Sequence, residues 1–172
     1  TNMIDLFFKP KSVAVIGASG TPGKLGYVIV SNIAGSDFNG PVYPVNPKSE
    51  EILGYKVYRS VMEIPGDVDL VVTVLPTPKL TVAAIKECVE KGVKAIIIES
   101  AGFAEMGGEG KVFQQQIVDI AKSNGIRVMG PNCSGIVSRD IVFWTAFLFI
   151  ILNNPWGLFY YIPFEWYIRF TS

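Results

Sequence analysis

Val13-Ala14-Val15-Ile16-Gly17-Ala18-Ser19-Gly20-Thr21-Pro22-Gly23-Lys24-Leu25-Gly26 decides the fold. An apolar, β-branched run stops at a series of glycines spaced three apart, and a helical pattern follows. That order reads as a buried strand, a tight turn and a helix N-terminus. Such a junction is an anion site, because the first-turn N–H groups lack intrahelical partners and the helix dipole favours negative charge there. Glycine lets a diphosphate approach the backbone that a side chain would fend off.

Outward from this stretch, strand and helix patterns alternate. Ser12–Ile16 is read as the first strand and Leu25–Ala34 as the first helix. Pro41–Val45 is a second strand running into Asn46-Pro47-Lys48, and Lys56–Tyr58 is a candidate edge strand. Val68–Leu75 is almost continuously apolar, as a strand covered on both faces is. Thr77-Pro78 supplies a helix cap and a first-position proline, and Gly92 supplies the stop. Val82, Ala84, Ile85, Cys88 and Val89 form that helix's apolar face. Val93–Ile98 is the next buried strand. Phe113, Ile117, Ile120 and Ala121 then mark a helix over Glu109–Asn124 ended by Gly125, and Arg127–Met129 is the last strand.

Strands separated by helices imply parallel pairing with right-handed crossovers. The expected fold is therefore α/β: a doubly wound, mostly parallel, Rossmann-like sheet in a three-layer α/β/α sandwich. Ligands in such sheets bind beyond the carboxyl ends of the strands. The loops there are Gly17–Gly23, Asn46–Lys48, Leu75–Pro78, Glu99–Gly102 and Gly130–Gly135.

Composition narrows the chemistry. The 172 residues suffice for one domain with a proper core. Lys+Arg and Asp+Glu balance at 15 each, and basic residues are dispersed, so no nucleic-acid partner is expected. Cys88 and Cys133 form no CxxC pair, which suits a reducing cytoplasm. The opening Met3-Ile4-Asp5-Leu6-Phe7-Phe8 is too short and too acidic for a secretory signal. The chain has no histidine. Ser-His-Asp and Cys-His mechanisms, and imidazole zinc sites, are excluded within it.

Nucleotide preference turns on a few positions. A phosphate-loop NTPase fails on spacing: Ala18 stands at the first glycine position, and Leu25 follows Lys24 where a magnesium hydroxyl belongs. A tight turn without ligand shares the local pattern. An NAD site wants a carboxylate at the end of the second strand, where this chain has Lys48. Lysine there favours an extra phosphate on the adenosine ribose, the 2′-phosphate of NADP or the 3′-phosphate of coenzyme A. One such charge-assisted contact contributes about 1.5–3 kcal/mol. A solvated loop lysine is the plainer reading of the same residue. No Tyr-x-x-x-Lys pair is present, so the usual proton donor of short-chain reductases is missing.

Gly-Ala-Ser-Gly-Thr-Pro-Gly (17–23), Val-Tyr-Pro-Val-Asn-Pro-Lys (42–48), Ser-Ala-Gly-Phe-Ala-Glu (100–105) and Gly-Pro-Asn-Cys-Ser-Gly-Ile (130–136) together resemble the N-terminal CoA-binding domain of NDP-forming acyl-CoA synthetases. Within that family they look most like the alpha part of ADP-forming acetate–CoA ligase, a relative of succinyl-CoA synthetase alpha. The resemblance implies that Gly17, Ser19, Gly20, Thr21 and Pro22 cradle CoA phosphates and that Lys48 meets the 3′-phosphate. It implies that Pro76 and Pro78 wall the path, that Glu99, Ser100 and Ala101 line it further along, and that Asn132 and Cys133 lie near the thiol end. A small packing residue is the plainer reading of Cys133, core that of Cys88, and a solvated lid loop that of Glu105 and Glu109. In these ligases a phosphohistidine in a following domain carries phosphate, and an ATP-grasp subunit or domain is the expected partner. A histidine-free chain is then expected to bind CoA without completing the ligase reaction. The alternatives are a stand-alone CoA- or nucleotide-binding module without catalysis and an NADP-dependent oxidoreductase fragment.

From Arg139 onward the character changes, and aromatics crowd the segment from Phe143 to Phe170. The expected division is a CoA-binding domain over 1–138 and an aromatic tail over 139–172. The apolar run Ile141–Leu152 falls short of the ~20 residues a membrane span needs, so no membrane is expected. A hairpin around Asn153-Asn154-Pro155-Trp156-Gly157 is one reading of the tail, and a shifted reading frame is another.

Overall fold

The computed structural model describes residues 4–138 and 143–144. A parallel five-stranded sheet forms the centre of the molecule. Its strands are β1 (Val13–Ile16), β2 (Val42–Val45), β5 (Leu70–Thr73), β6 (Ala95–Ile98) and β7 (Arg127–Met129), in the order β2-β1-β5-β6-β7. Two short antiparallel pairs complete the strands: β3 (Glu51–Ile52) with β4 (Tyr55–Lys56), and β8 (Val137–Ser138) with β9 (Phe143–Trp144). The helices are α1 (Asp5–Phe8), α2 (Leu25–Ala34), α3 (Pro78–Lys91) and α4 (Gly108–Asn124).

β1, β5 and β6 are buried along their whole length, as apolar strands covered on both faces must be. Alternation divides their side chains between two cores. Ala14, Ile16, Val71, Ile96 and Ile98 pack with Val82, Ile85 and Cys88 of α3 and Ile117 of α4. Val13, Val15, Val72 and Ile97 pack with Ile29, Val30 and Ile33 of α2. The result is the expected three-layer, doubly wound Rossmann-like sandwich.

Local signals account for the helix ends. The Thr77 hydroxyl accepts from the Leu80 N–H at 3.3 Å, Pro78 opens α3, and Gly92 closes it in the left-handed conformation. Gly125 ends α4 in the same way. Cys88 is fully buried, and burial pushes its thiol up to about 12.

One local reading needs correction. The candidate edge strand Lys56–Tyr58 divides: Lys56 belongs to β4 of the β3–β4 hairpin, and only Tyr58 reaches the sheet edge, by a single parallel bridge to Val45. Leu53 and Gly54, both at positive φ, make the hairpin's turn. Helix α1 and a 3-10 turn at Val61–Glu63 had no periodic signal. The Asn153–Gly157 hairpin and the aromatic tail lie outside the described residues, apart from β9. That strand runs close to α2 and pairs across the boundary drawn at residue 138.

Candidate functional site

In the order β2-β1-β5-β6-β7, the chain reverses its direction of winding between β1 and β5. The helix following β1 covers one face, and those following β5 and β6 cover the other. A crevice opens at such a reversal, at the carboxyl ends of the strands. The sequence-identified site residues lie along that edge, on loops except for Pro78, which opens α3.

At the centre, the loops after β1 and β5 meet backbone to backbone. Gly17 has φ +91°, and a Cβ there would lie 2.1 Å from the Val74 carbonyl oxygen. Its N–H donates to the Val45 carbonyl at 3.1 Å, so Gly17 acts by permitting the approach and has no free amide to offer. A Cβ on Gly26, in the first turn of α2, would likewise lie 2.1 Å from the Gly17 carbonyl oxygen. Helix α2 begins after Lys24 without a side-chain cap; the Tyr27 N–H donates to the Lys24 carbonyl at 3.0 Å, leaving the Leu25 and Gly26 N–H groups to solvent or to an anion. The Ser19 hydroxyl accepts from the Thr21 N–H at 3.1 Å, which shapes the turn and engages that amide internally. Gly20, Thr21 and Pro22 are exposed.

Towards β2, Asn46 is the link that sequence reasoning passed over. Its Nδ2 donates to the Ala18 carbonyl at 2.7 Å, and its Oδ1 accepts from the Lys48 N–H at 2.8 Å. One amide thus ties the cradle loop to the lysine loop and sets where Lys48, itself exposed, begins. The signal was the side chain's paired donor and acceptor, but its partner is 28 residues away.

In the opposite direction the loops are stitched as closely. The Ser100 hydroxyl accepts from the Leu75 N–H at 2.8 Å, and the Ser100 carbonyl accepts from the Asn132 N–H at 2.9 Å. Pro78 lies against Gly102, 3.2 Å from where its Cβ would be, while Pro76 and Ala101 are exposed. Asn132 sits at positive φ, 53°. The Cys133 Sγ lies 3.4 Å from the Ile98 carbonyl. Cys133 is only partly buried, yet desolvation pushes its thiol up to about 11. It is a thiol and not a thiolate near neutral pH. Glu105 and Glu109 are exposed, and Glu105 caps the Gly102 N–H at 2.7 Å.

Glu99 stands apart. It is 6% exposed, neither carboxylate oxygen has a hydrogen-bond partner among the described residues, and burial pushes its carboxyl up to about 8. No group of His, Cys, Asp or Glu among the described residues could hold a metal ion. A cavity of about 280 Å³, lined by Leu6, Asp67, Val68, Asp69, Lys91, Gly92 and Lys94, lies at the opposite, amino-terminal edge of the sheet. None of the strand-end loops reaches it, so the carboxyl-edge groove carries the functional reading.

The fold defines an α/β domain of the doubly wound, Rossmann-like class. Residues 11–139 match the CoA binding domain family, and the chain belongs to it. It is 49% identical over 136 residues to the alpha subunit of acetate–CoA ligase [ADP-forming] II of Pyrococcus furiosus, covering 79% of this chain and 29% of that one. The fold matches a Pyrococcus horikoshii crystal structure with a TM-score of 0.80 and 44% identity, over 84% of this chain and 33% of the other. It also matches a dinucleotide forming acetyl-coenzyme A synthetase of Candidatus Korarchaeum cryptofilum, solved with phosphate and ADP. There the TM-score is 0.78 and the identity 34%, over 83% of this chain and 30% of the other. The chain thus spans about three tenths of the ligase subunit it matches. Among the described residues, no helix is long and apolar enough to cross a membrane.

Proposed function

We propose that this chain is the CoA-binding part of an ADP-forming acyl-CoA synthetase of the acetate–CoA ligase type, working in the cytoplasm. The reading is carried by the order of the stitched loops along the carboxyl edge. Lys48 follows β2, the uncapped α2 terminus follows β1, Pro76 and Pro78 follow β5, Glu99 to Ala101 follow β6, and Asn132 and Cys133 follow β7. Four inter-strand steps of ~4.8 Å separate the two ends, roughly 19 Å. A ligand with a doubly phosphorylated head and a long uncharged arm fits this series. The ammonium of Lys48 takes the ribose 3′-phosphate, and Ser19 to Pro22 with the α2 terminus take the diphosphate. The arm then runs past the prolines to end by Cys133.

The chain holds no histidine, so a phosphohistidine must come from another domain, with an ATP-grasp unit supplying the nucleotide chemistry. By itself the chain binds the thiol substrate and does not turn over. Calorimetry with CoA, dephospho-CoA, NADP and NAD tests this. CoA should bind best, and dephospho-CoA should lose affinity. Preference for NADP would move the chain to the oxidoreductases, the second reading that Lys48 permits. CoA binding without activity in the presence of the complementary domains would make it a stand-alone sensing module.

A further inference from the structure

We infer that Leu53, at the tip of the β3–β4 hairpin, receives the base of the bound nucleotide: its exposed side chain is the apolar surface on which the adenine ring lies. This deepens the CoA reading and rests on it.

The hairpin is seated on the glycine turn. Ile52, 2% exposed, shares a core with Ala18 and Leu25, and a Cβ on Gly20 would lie 3.9 Å from the Ile52 Cγ1. The foot of the hairpin is tied to the end of β2. There the Tyr58 N–H donates to the Pro44 carbonyl at 3.0 Å, and the Asn46 N–H donates to the Tyr58 carbonyl at 2.9 Å. Lys48 stands between Asn46 and the first arm. The hairpin therefore borders the same corner of the carboxyl edge as Lys48 and the turn that carries Ser19 to Pro22.

Two features of Leu53 work against the hairpin itself. Its side chain is 44% exposed, whereas Ile52 and Tyr55, which flank the turn, pack into the core beneath α2. Its φ is +52°, followed by Gly54 at +81°. A two-residue hairpin turn with both central φ values positive favours Asn, Asp or Gly at the first place. A bulkier L side chain crowds its own backbone there. Asparagine would relieve the strain and remove the exposed apolar surface together. A residue held against both local preferences at the rim of a groove points to an occupant.

The chemistry of that occupant follows from the neighbours. With the diphosphate on the glycine turn and the 3′-phosphate at Lys48, the ribose is held at two points and the base leaves it beside them. Leu53 offers neither donor nor acceptor, so it suits the flat apolar face of a purine. The other large exposed apolar side chains between β1 and β7 lie elsewhere. Met62 belongs to the turn beside α3, where the Ser60 hydroxyl donates to Glu87 at 2.7 Å. Leu80, Met106 and Val112 belong to elements that follow β5 and β6.

Leu53→Asn is the test, since asparagine suits the turn and removes the apolar surface. CoA and dephospho-CoA share the base and differ in the 3′-phosphate. Both are titrated calorimetrically into the full chain and the variant, and urea unfolding is followed in each. Both ligands should weaken by about tenfold, the effect of losing a methylene or two of contact in a pocket. The ratio of their affinities should hold, because Lys48 keeps its place. Leu53→Met should bind both as the unmodified chain does, and the urea midpoint of Leu53→Asn should hold or rise. Unchanged affinity in Leu53→Asn would overturn the proposal. So would a shifted ratio, which would mean that the hairpin acts by placing Lys48, or a lowered midpoint, which would assign Leu53 to the fold. If the unmodified chain binds neither ligand, the CoA reading itself falls; if it binds both and Leu53→Asn changes nothing, that reading stands without this residue.

Discussion

Asn46 holds Ala18: the side-chain amide at the end of β2 donates at 2.7 Å to a carbonyl in the turn after β1. The same side chain accepts the Lys48 N–H at 2.8 Å. The loops after β1 and β2 are therefore fixed to each other by one residue.

Asn46→Asp tests that arrangement. The carboxylate keeps an acceptor for Lys48 but loses the donor to Ala18, and it adds negative charge beside the proposed phosphates. CoA affinity should fall at least tenfold by calorimetry, with a stability loss of about 1–2 kcal/mol. An unchanged affinity would mean the two loops are held some other way.

Lys48→Ala should remove the preference for CoA over dephospho-CoA. The lost contact contributes about 1.5–3 kcal/mol, or roughly ten- to a hundredfold in the ratio of their dissociation constants. The fold should be untouched, since Lys48 is exposed. A ratio that survives the substitution would assign the 3′-phosphate to another group.

Gly17→Ala should destabilise the domain severely. The new methyl meets the Val74 carbonyl at 2.1 Å and is forced into φ +91°. The loops after β1 and β5 must then part, at a cost of about 2–4 kcal/mol in urea unfolding. Unaltered stability would show that the backbones do not meet there.

Stability should fall as pH rises between 4.5 and about 8, the ordinary and the folded values of Glu99. Across that window the native carboxyl keeps its proton while the unfolded one has lost it. The native state thus binds more protons, and its advantage shrinks by up to about 1.4 kcal/mol per pH unit, levelling off above the folded value. Glu99→Gln should flatten this slope in denaturant titrations, and a slope that remains would trace to other groups.

Thiol labelling should be slow for both cysteines below pH 9, because desolvation keeps them protonated, Cys133 near 11 and Cys88 near 12. Cys133, partly exposed, should react first, and saturating CoA should protect it. Labelling of Cys88 ahead of Cys133 in the native protein would contradict the packing.

The elements that could be read from sequence were those whose cause is local. Leu25–Ala34 was legible because a glycine turn precedes a helical pattern. Thr77, Pro78 and Gly92 marked α3 through hydrogen bonding, fixed φ and left-handed φ, each a property of the residue itself. The β3–β4 hairpin was not legible. Its pairs are two residues long, and tertiary packing of Ile52 and Val57 holds them, with no periodicity to announce it. The loops of the groove were legible as a set, since alternation alone puts them on one edge. The stitches between them were not, because the Ser100–Leu75 and Asn132–Ser100 bonds cross 25 and 32 residues of chain. Glu99 could be placed at a strand end, but its isolation from any cation depends on what three other strands fail to bring.

The bonds that join neighbouring loops run from Lys48 to Asn132 entirely between atoms of the chain. The carboxyl edge therefore holds its shape by itself, and under the proposed function a long flexible guest would meet a rigid host. Only the guest's own torsional freedom is surrendered on docking, which leaves more of the contact energy to appear as affinity.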